Sequence, residues 1–324
     1  MKIGDIEIKG HVVLGPMAGV TTLAYREFMK PFGVGLSYSE MISDCGIDYG
    51  NAKTMEYFKT SKEDRPVGLQ LFGFQAENAI KAIAYLESHA DYDILDINLG
   101  CPVYKVVKTG AGSAWLKHPD ALYSYMQTVC AASHKPVTAK IRLGWDENSI
   151  NVFEVAPLLE KAGVKAITVH CRTSKQGYTG KADYEAIKNL KNKLTVPLIV
   201  SGDIFTPEDA KKAVEITKAD AVMVARGGLG NPFLVTQINQ ILETGNYDPH
   251  PDVTTQVNYA EDFAKRLIAL KGPYIGVREC RGLIPHFFSG FPGYKKIRAE
   301  IAMNIENESD LMALLEGIKK RQGC

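Results

Sequence analysis

The residues best suited to chemistry follow short apolar runs that recur along the chain. Six segments with polar or glycine residues follow such runs, at residues 70–73, 96–102, 140–142, 170–172, 201–203 and 225–228. The carboxyl ends of parallel strands open on one face of a barrel, so segments in this position lie close together. One polar strand end is commonly a turn or a cap, whereas six that converge predict a functional site.

Cys101 stands in one of these segments, between Gly100 and Pro102. Residues 103–116, which follow it, contain glycines and a serine at hinge positions and are typical of a lid at a barrel rim. A thiol has an ordinary pKa of about 8.5 and is mostly protonated at neutral pH. The sequence therefore predicts an acid, rather than a nucleophile, at Cys101. The other cysteines are predicted to be packing residues: Cys45, Cys130, Cys171, Cys280 and Cys324.

Two segments late in this series predict a phosphate site. Ser201, Gly202 and Asp203 form the first, and Ala225 and Arg226 begin the second. Barrels commonly hold a phosphate after their last two strands, where small residues expose backbone N–H groups. Arg226 would add a charge-assisted donor. The alternative is that the glycines only form tight turns.

The remaining segments predict a ring beside that phosphate. Lys140 and His170 are suited to contact an anionic or carbonyl-bearing ring, and Gln70 is suited to pair with the amide edge of a ring. A flavin mononucleotide (FMN) combines such a ring with a phosphate. The sequence has no CxxC pair and no ligand-like spacing of Cys and His, so no metal site is predicted.

Strands must position these side chains, and eight apolar or β-branched runs are present. They cover residues 11–14, 34–39, 66–72, 94–98, 136–141, 166–170, 197–200 and 221–224. Segments of helical period lie between them, at residues 77–89, 119–133, 152–162 and 207–217. This alternation predicts an α/β fold, a (β/α)8 TIM barrel. A doubly wound Rossmann sheet is the weaker alternative, because Pro16 removes a backbone donor from the first strand–helix turn.

The pattern changes after Pro232, where only helical periods remain, at residues 253–271, 274–288, 295–303 and 309–320. Residues 243–253 contain Gly, Asn, Asp and two prolines without any periodicity, which indicates a linker. We therefore predict an FMN-binding catalytic barrel in residues 1–243 and a small all-helical domain in residues 244–324.

Composition and charge exclude several classes of protein. A chain of 324 residues that is 45% hydrophobic and 23% charged is not disordered. No apolar run approaches the roughly 20 residues that cross a bilayer, and the first residues lack a secretory signal, so a cytoplasmic protein without a membrane partner is expected. The net charge is +1, but residues 271–324 carry nine Lys and Arg against six Asp and Glu. This basic tail predicts either a solvated helix surface or a polyanion-binding surface.

The motifs of the chain, taken in order, resemble those of one enzyme family. They lie at residues 16–21, 70–73, 96–102, 110–113, 136–142, 170–173, 178–180 and 201–203. With these motifs the chain resembles the bacterial tRNA-dihydrouridine synthases, which are flavin-dependent reductases of tRNA uridines. Each motif is weak alone, whereas the ordered set is specific and extends through nearly the whole chain.

The resemblance implies a role for each matching position. Cys101 would be the proton donor to uracil, and NADPH (or NADH) would be the reductant. FMN would lie across the barrel mouth, on Pro16, Met17, Ala18, Gln70, Lys140, His170, Ser201, Gly202, Asp203, Ala225 and Arg226. The substrate would be held by Asn98, Arg142 and Tyr178 at the uracil and by Arg278 and Arg281 in a helical tRNA-binding domain. No protein partner is implied.

The chain departs from the family pattern at a few positions. Ser201 replaces a usual asparagine, so a side-chain amide contact to the cofactor becomes at most a hydroxyl contact. Ser174 stands where arginine is common, and residues 282–283 and 286–287 differ from an expected basic pair and from Trp-Tyr. We therefore expect the chemistry to be retained more closely than the way in which tRNA is oriented.

Two alternatives remain at this stage. A flavin-dependent TIM-barrel reductase of a free small molecule, of the dihydroorotate or enone type, would share the phosphate site and the catalytic loop. Such an enzyme would have no reason to keep a basic helical domain. An RNA-binding protein that kept the barrel only as a scaffold would have no reason to keep Cys101, Lys140 and His170.

Overall fold

Eight parallel strands close into a barrel in the computed structural model, which describes residues 1–48 and 52–322. The strands are β1 (Val12–Leu14), β2 (Val34–Ser43), β3 (Val67–Phe72), β4 (Ile94–Asn98), β5 (Val137–Arg142), β6 (Ala166–His170), β7 (Leu198–Ser201) and β8 (Ala221–Val224). Each strand pairs in parallel with the next, and β8 pairs with β1. The predicted TIM barrel is confirmed, and all eight predicted strands are present.

Burial on both faces explains why these strands are short apolar runs. All five residues of β4 and all five of β6 are buried. A strand enclosed by helices outside and by barrel side chains inside has no face that favours polar residues. A polar side chain inside such a strand, such as Asp96 in β4, therefore needs hydrogen-bond partners within the barrel.

Strand β2 extends beyond its predicted end at residue 39, to Ser43. Its pairing with β3 shifts register between Tyr38 and Met41, as in a β-bulge. Ser39 and Glu40, both buried, lie in this irregular part. The carboxylate of Glu40 accepts a hydrogen bond of 2.6 Å from the backbone N–H of Gly19, in the loop after β1. Glu40, directly after the predicted end, interrupts the apolar pattern from which the strand was predicted.

Helices surround the barrel and follow its strands. They are α1 (Leu23–Met29), α2 (Asp44–Asp48), α3 (Ala52–Glu56), α4 (Ala76–His89), α5 (Tyr104–Val107), α6 (Pro119–Ala132), α7 (Val152–Lys161), α8 (Pro207–Thr217) and α9 (Phe233–Thr244). Helix α8 begins where it was predicted, because Thr206 and Asp209 form a capping box and Pro207 occupies the first turn.

A short antiparallel hairpin, Lys2–Ile3 with Ile6–Glu7, precedes the barrel and was absent from the sequence prediction. Ile3 and Ile8 are buried in a cluster with residues from several barrel strands, among them Val13, Leu36 and Ile199. The hairpin lies at the amino-terminal end of the strands, where Gly4 approaches the ring of Pro136. It therefore closes the end of the barrel opposite the predicted site. Strands of two residues are too short for a periodic signal in sequence.

The C-terminal region is helical, as predicted. Helix α10 (Val253–Leu283) is followed by a 3₁₀ turn at Ile284–Phe288, α11 (Tyr294–Asn304) and α12 (Glu308–Gln322). Helix α10 is kinked at Gly272, whose φ of 78° and ψ of 163° are not helical. Pro273 follows and lacks a backbone N–H, so the chain cannot continue a regular helix there. The kink separates the two helices that the sequence predicted, and the second ends in the 3₁₀ turn.

An aromatic cluster joins the C-terminal region to the barrel. The ring of Phe263 in α10 lies 5.4 Å from that of Phe28 and 5.6 Å from that of Tyr25, both in α1. Phe287 stacks on Phe263 at 5.9 Å. Buried residues of both regions belong to one continuous apolar core. The predicted boundary between residues 243 and 244 stays a prediction.

Membrane spans and metal clusters are absent from the part of the chain that the structure describes. Within that part, no helix is both long enough and apolar enough to cross a membrane. Residues 1–48 and 52–322 contain no group of three or more His, Cys, Asp or Glu that could hold a metal ion. Cys324, predicted to be a packing residue, lies outside the described residues.

Candidate active site

A cleft opens at the carboxyl ends of the barrel strands. Most residues predicted to bind the cofactor line it, together with Tyr178: Pro16, Met17, Lys140, His170, Ser201, Gly202, Asp203, Ala225 and Arg226. Gly227 of the predicted segment 225–228 also lines it, and residues that the prediction did not include complete the wall: Gly15, Ile204, Phe205 and Met223. Ala18 is exposed on the loop after β1 and does not line the cleft, and neither do Gln70, Asn98, Cys101 and Arg142.

One end of the cleft is formed by the loops after β7 and β8. Gly227 approaches the carbonyl of Ile204 so closely that a Cβ atom would lie 2.0 Å from its oxygen. Only glycine fits there, so the backbones of the two loops are in direct contact at this end. The guanidinium of Arg226 is half-exposed and lies 3.6 Å from Asp203 Oδ1. Backbone N–H groups beside an accessible cation are the elements of an anion site.

Arg172 holds Asp203 in place. Its Nη2 donates to Asp203 Oδ2 at 2.6 Å, and the same oxygen accepts from the backbone N–H of Ala182 at 2.8 Å. Burial raises the pKa of Asp203, but the hydrogen bonds from Arg172 and Ala182 outweigh it, and the net shift is downward. Asp203 is therefore ionised at neutral pH, with its charge offset by Arg172 and Arg226.

The middle of the cleft carries Lys140 and His170, from β5 and β6. Burial and the neighbouring Arg142 lower the pKa of Lys140 to about 8. Burial, followed by the charges of the nearby cations, lowers the pKa of His170 far below its ordinary value, so its imidazole is neutral. His170 Nε2 is buried and has no hydrogen-bond partner among residues 1–48 and 52–322. A buried ring nitrogen without a partner is suited to a ligand that the cleft would receive.

Tyr178 covers this part of the cleft and is 56% exposed. Its ring lies 5.4 Å from the guanidinium carbon of Arg142 and 5.0 Å from that of Arg226. Arg142 is buried, and it donates to the carbonyls of Gly100 (2.7 Å), Thr173 (2.9 Å) and Gly177 (2.8 Å). Arg142 therefore ties the Cys101 segment to the loop that carries Tyr178.

Cys101 lies beside the cleft, in a small apolar cluster with Val106 and Ala111, and is 8% exposed. Burial raises the pKa of its thiol, although Arg142 and Lys140 act in the opposite direction. The thiol is thus protonated at neutral pH, as an acid must be. The predicted lid is folded: α5 and a 3₁₀ turn at Gly112–Lys117 follow Cys101, and Ser113 donates to the Cys101 carbonyl from both its N–H (3.0 Å) and its hydroxyl (2.9 Å).

Gln70 and Asn98 lie behind the cleft and bond to each other. Asn98 Nδ2 donates to Gln70 Oε1 at 2.8 Å, and Asn98 Oδ1 accepts from the N–H of Cys101, also at 2.8 Å. Asn98 Nδ2 also contacts the sulfur of Met41 at 3.0 Å. Sulfur is a weak acceptor, so this last contact is the one that a ligand carbonyl could replace.

Arg278 and Arg281, predicted to contact substrate, lie on α10 outside the cleft. Arg278 is exposed, and its guanidinium carbon lies 5.6 Å from the ring of Tyr274, which is 74% exposed. Arg281 is half-buried, and its Nε has no hydrogen-bond partner within the described ranges. The structure thus brings the cofactor candidates together and leaves these two arginines on the helical region.

Sequence analysis did not assign roles to Arg172 and Asp96, although both lie in the motifs. Arg172 is 2% exposed and bonds to Asp203 and to the carbonyls of Thr179 and Gly180. Its position two residues after His170, at a strand end, was the available signal. Asp96 is 1% exposed inside β4, where a carboxylate in an apolar run was the signal.

A family model described as dihydrouridine synthase (Dus) matches residues 13–322. The chain belongs to the dihydrouridine synthase family. It is 35% identical to the probable tRNA-dihydrouridine synthase of Rickettsia bellii over 309 residues, which cover 95% of this chain and 94% of that protein. It is 31% identical to tRNA-dihydrouridine synthase B of Pseudomonas aeruginosa over 322 residues, which cover 99% and 97%.

Solved structures of low sequence identity share the fold of this family member. The old yellow enzyme homologue of Zymomonas mobilis has a TM-score of 0.54 and 13% identity, and the match covers 79% of this chain and 94% of that one. Histamine dehydrogenase from Rhizobium sp. has a TM-score of 0.57 and 11% identity, with 82% of this chain and 50% of that chain covered. At these identities the likeness concerns the fold alone.

Proposed function

We propose that this chain reduces the C5=C6 bond of specific tRNA uridines to 5,6-dihydrouridine, with bound FMN and with NADPH (or NADH) as reductant. The observation that carries the proposal is that the predicted cofactor residues of five strand ends line one cleft with Cys101 beside it. The relatives named above are tRNA-dihydrouridine synthases, which favours this function over the reduction of a free small molecule.

The residues of the cleft fit FMN. The phosphate would be held by backbone N–H groups of the loops after β7 and β8, with Arg226 as the cation, because Arg172 is already engaged by Asp203. The unpartnered Nε2 of His170 and the amine of Lys140 would face the ring. Pro16, Met17, Ala18 and Gln70 would complete its surroundings. At Ser201 the backbone donors remain, whereas the side-chain amide contact of the usual asparagine is lost.

When bound, the flavin supplies the hydride that is added at C6 of uracil. Negative charge then develops along the conjugated path from C5 to the C4 carbonyl, and a nearby cation stabilises it. Lys140 is suited to this role because it lines the cleft, is half-buried and bears a charge below its pKa of about 8.

Cys101 would complete the reaction by giving its proton to C5. Its thiol is protonated at neutral pH, since burial raises its pKa. The neighbouring Arg142 and Lys140 would then stabilise the thiolate that remains. The thiolate must be reprotonated from solvent before the next turnover.

A uridine must leave its base stack to enter this cleft, at a cost of a few kcal/mol. Tyr178 would offset that cost by stacking on the base, while Asn98 and Arg142 would hold its carbonyls. Arg278 and Arg281 would contact tRNA phosphates on the helical region, where residues 271–324 carry the basic excess.

Substitution of Cys101 tests the proposal. Purified protein should be yellow, and Cys101→Ala should keep the flavin while reduction of unmodified tRNA falls about 100-fold or more, the usual worth of a general acid. Dihydrouridine is counted in the product tRNA. Cys130→Ala is the matched control, because Cys130 is a half-buried cysteine on α6, remote from the strand ends. Full activity of Cys101→Ala would refute the acid role, and a colourless protein that cannot be reconstituted with FMN would refute the flavin.

A further inference from the structure

A chain of hydrogen bonds runs from the barrel interior to the backbone of Cys101. Tyr38 bonds to Thr138 at 3.0 Å, and Thr138 Oγ1 donates to Asp96 Oδ1 at 2.6 Å. Gln70 Nε2 donates to Asp96 Oδ2 at 2.6 Å, and Asn98 Nδ2 donates to Gln70 Oε1 at 2.8 Å. Asn98 Oδ1 then accepts from the N–H groups of Gly100 (3.2 Å) and Cys101 (2.8 Å). Each of these side chains is at most 6% exposed.

The direction of every bond in this chain follows from Asp96. An ionised carboxylate only accepts hydrogen bonds, so Gln70 must turn its NH₂ group towards it. The carbonyl of Gln70 then faces Asn98, which must donate to it from its own NH₂ group. Asn98 Oδ1 is thereby left to accept from the backbone of Cys101. If the amide of Asn98 were flipped, its NH₂ group would face two backbone N–H donors, and no hydrogen bond could form between them.

We propose that Asp96 is a positioning residue, which fixes the orientation of Gln70 and Asn98 and through them the backbone of Cys101. Asp96 touches neither the cleft nor Cys101. The inference rests on the proposed function only in that Cys101 is the residue whose position matters for the reaction. The orientation of the amides themselves depends on no ligand.

The carbonyl side of Cys101 is held independently, by Ser113. Ser113 lies after α5 and has no bond to the Asp96 chain, so the peptide of Cys101 is held at two ends by two separate systems. Only the N–H end depends on the direction of an amide. Loss of the acceptor-only carboxylate at Asp96 would therefore loosen the N–H side of Cys101 without releasing the whole segment.

The groups around Asp96 favour its charged form against the effect of burial. Burial raises the pKa of Asp96 to about 6, while the bonds from Gln70 and Thr138 and the charge of Lys140 act to lower it. The titratable side chains that face it are Lys140 on β5 and Tyr38 on β2. At neutral pH Asp96 is thus ionised, and Tyr38 is neutral because burial raises its pKa.

Exchanging the charge between the two strands tests the proposal. In Asp96→Asn, either Thr138 or Gln70 must face an NH₂ group, so the orientation of Gln70 is no longer fixed. In Gln70→Glu, two carboxyl groups meet at the position of a 2.6 Å hydrogen bond. The double variant D96N/Q70E restores every donor and acceptor. The new amide at position 96 would donate to the new carboxylate at position 70, and Asn98 would donate to that carboxylate as it now donates to the Gln70 carbonyl.

The main measurement is amide hydrogen exchange at Gly100 and Cys101 in the purified protein, with the alkylation rate of the Cys101 thiol as a second readout. We expect exchange at both amides to be about tenfold faster in Asp96→Asn and to return to the wild-type rate in the double variant. Thr138→Val is the matched control, since it removes a buried bond of the same carboxylate but leaves Asp96 facing Gln70. It should leave exchange at Cys101 unchanged.

Two results would overturn the proposal: unchanged exchange in a folded Asp96→Asn, or a double variant that is no better than Asp96→Asn in folding and in exchange. An unfolded Asp96→Asn together with a folded, protected double variant supports it. The activity readout is a fall in kcat for uridine reduction, with the rate of flavin reduction by NADPH retained. If wild-type protein reduced no tRNA, the proposed function would fail, whereas the exchange data would still decide the role of Asp96.

Discussion

Under the proposed function, Lys140 and Cys101 are two titrating side chains at the reaction, and their pKa values are shifted in opposite directions. Burial raises the pKa of the Cys101 thiol and, with Arg142, lowers that of Lys140 to about 8. Both shifts follow from the cost of burying charge. The Cys101 thiol, the proposed acid, is therefore kept protonated, while Lys140 is closer to losing its charge than an ordinary lysine.

The pH dependence of the reaction tests this arrangement. Between about pH 6 and pH 8 Asp96 is ionised, Lys140 is charged and Cys101 is protonated, so kcat for uridine reduction should be flat. Above about pH 8 Lys140 loses its proton, and kcat should fall although Cys101 still holds its own. The profile is measured in single turnovers of the reduced enzyme with tRNA.

Cys101→Ser separates the two groups in that experiment. A hydroxyl does not titrate in this range, so the serine variant, although slow, should keep the same fall above about pH 8. Loss of the fall in the serine variant would assign it to the thiol instead of to Lys140.

Sequence alone identified the residues whose signal is local. Lys140, His170 and Cys101 end or follow apolar runs, and position on a barrel strand predicts that such residues face the mouth. The role of Asp96 was not predictable in this way, because it depends on Gln70 of β3 and Thr138 of β5. Cross-strand partners are set by the register, which periodicity does not give.

At the level of elements, the segment that follows Cys101 has helical structure that its prediction as a lid did not include. The sequence predicts a lid, and the structure shows α5 and a 3₁₀ turn with Ala111 and Trp115 buried. Its outer surface carries Tyr104, which is 77% exposed, with the amine of Lys108 6.0 Å from its ring. Residues 101–118 contain three lysines and no Asp or Glu. An exposed aromatic ring on a basic rim is suited to stack on an RNA base.

Removal of that ring should weaken the binding of tRNA. Tyr104→Ala is expected to raise KM for tRNA about tenfold, as loss of one stacked base costs about 1–3 kcal/mol. Tyr104→Trp should retain the wild-type KM, and the rate of flavin reduction by NADPH should not change in either variant. Steady-state rates on unmodified tRNA give both values.

Tyr123→Ala serves as the matched control for Tyr104. Tyr123 on α6 also contacts a lysine, with the amine of Lys161 5.4 Å from its ring, but it lies on the outer helices. Its substitution should leave KM for tRNA unchanged. An equal rise in both variants would mean that Tyr104 acts through stability and not through stacking.

The strands show where prediction from periodicity succeeds. Buried runs such as β4 and β6 are enclosed on both faces and were found with their correct bounds. The prediction of strand β2 ended too early, because the polar Glu40 lies within its bulge. A polar residue inside a strand satisfies partners that only the folded barrel supplies, so its sequence pattern resembles that of a loop.

At the scale of the molecule, the helical region and the barrel share a core. Phe263 is fully buried between Phe28 of α1 and Phe287 of the 3₁₀ turn. The tail was predicted as a separate domain from its change of periodicity, and that pattern contains no information on how much apolar surface the two parts bury together. Folding of the barrel is therefore expected to depend on α10.

Phe263→Ala tests this dependence. Loss of a buried phenylalanine costs about 3–5 kcal/mol, and since the cavity would border both regions, they should unfold together in one transition at a lower Tm. Thermal unfolding followed by flavin fluorescence and by far-UV circular dichroism gives the two signals. Two separated transitions would show that the regions fold independently. Met303→Ala, at an 81% exposed position of α11, should leave Tm unchanged.

The hairpin at the start of the chain has a kinetic consequence. Since Ile3 and Ile8 fill the far end of the barrel, the cleft is reached from the opposite end. Under the proposed function, the nicotinamide and the RNA must then enter through the same opening of the cleft. They bind in turn, and neither can enter while the other is present. Double-reciprocal plots of rate against tRNA at several NADPH concentrations should give parallel lines, and a large excess of either substrate should slow turnover by blocking the other.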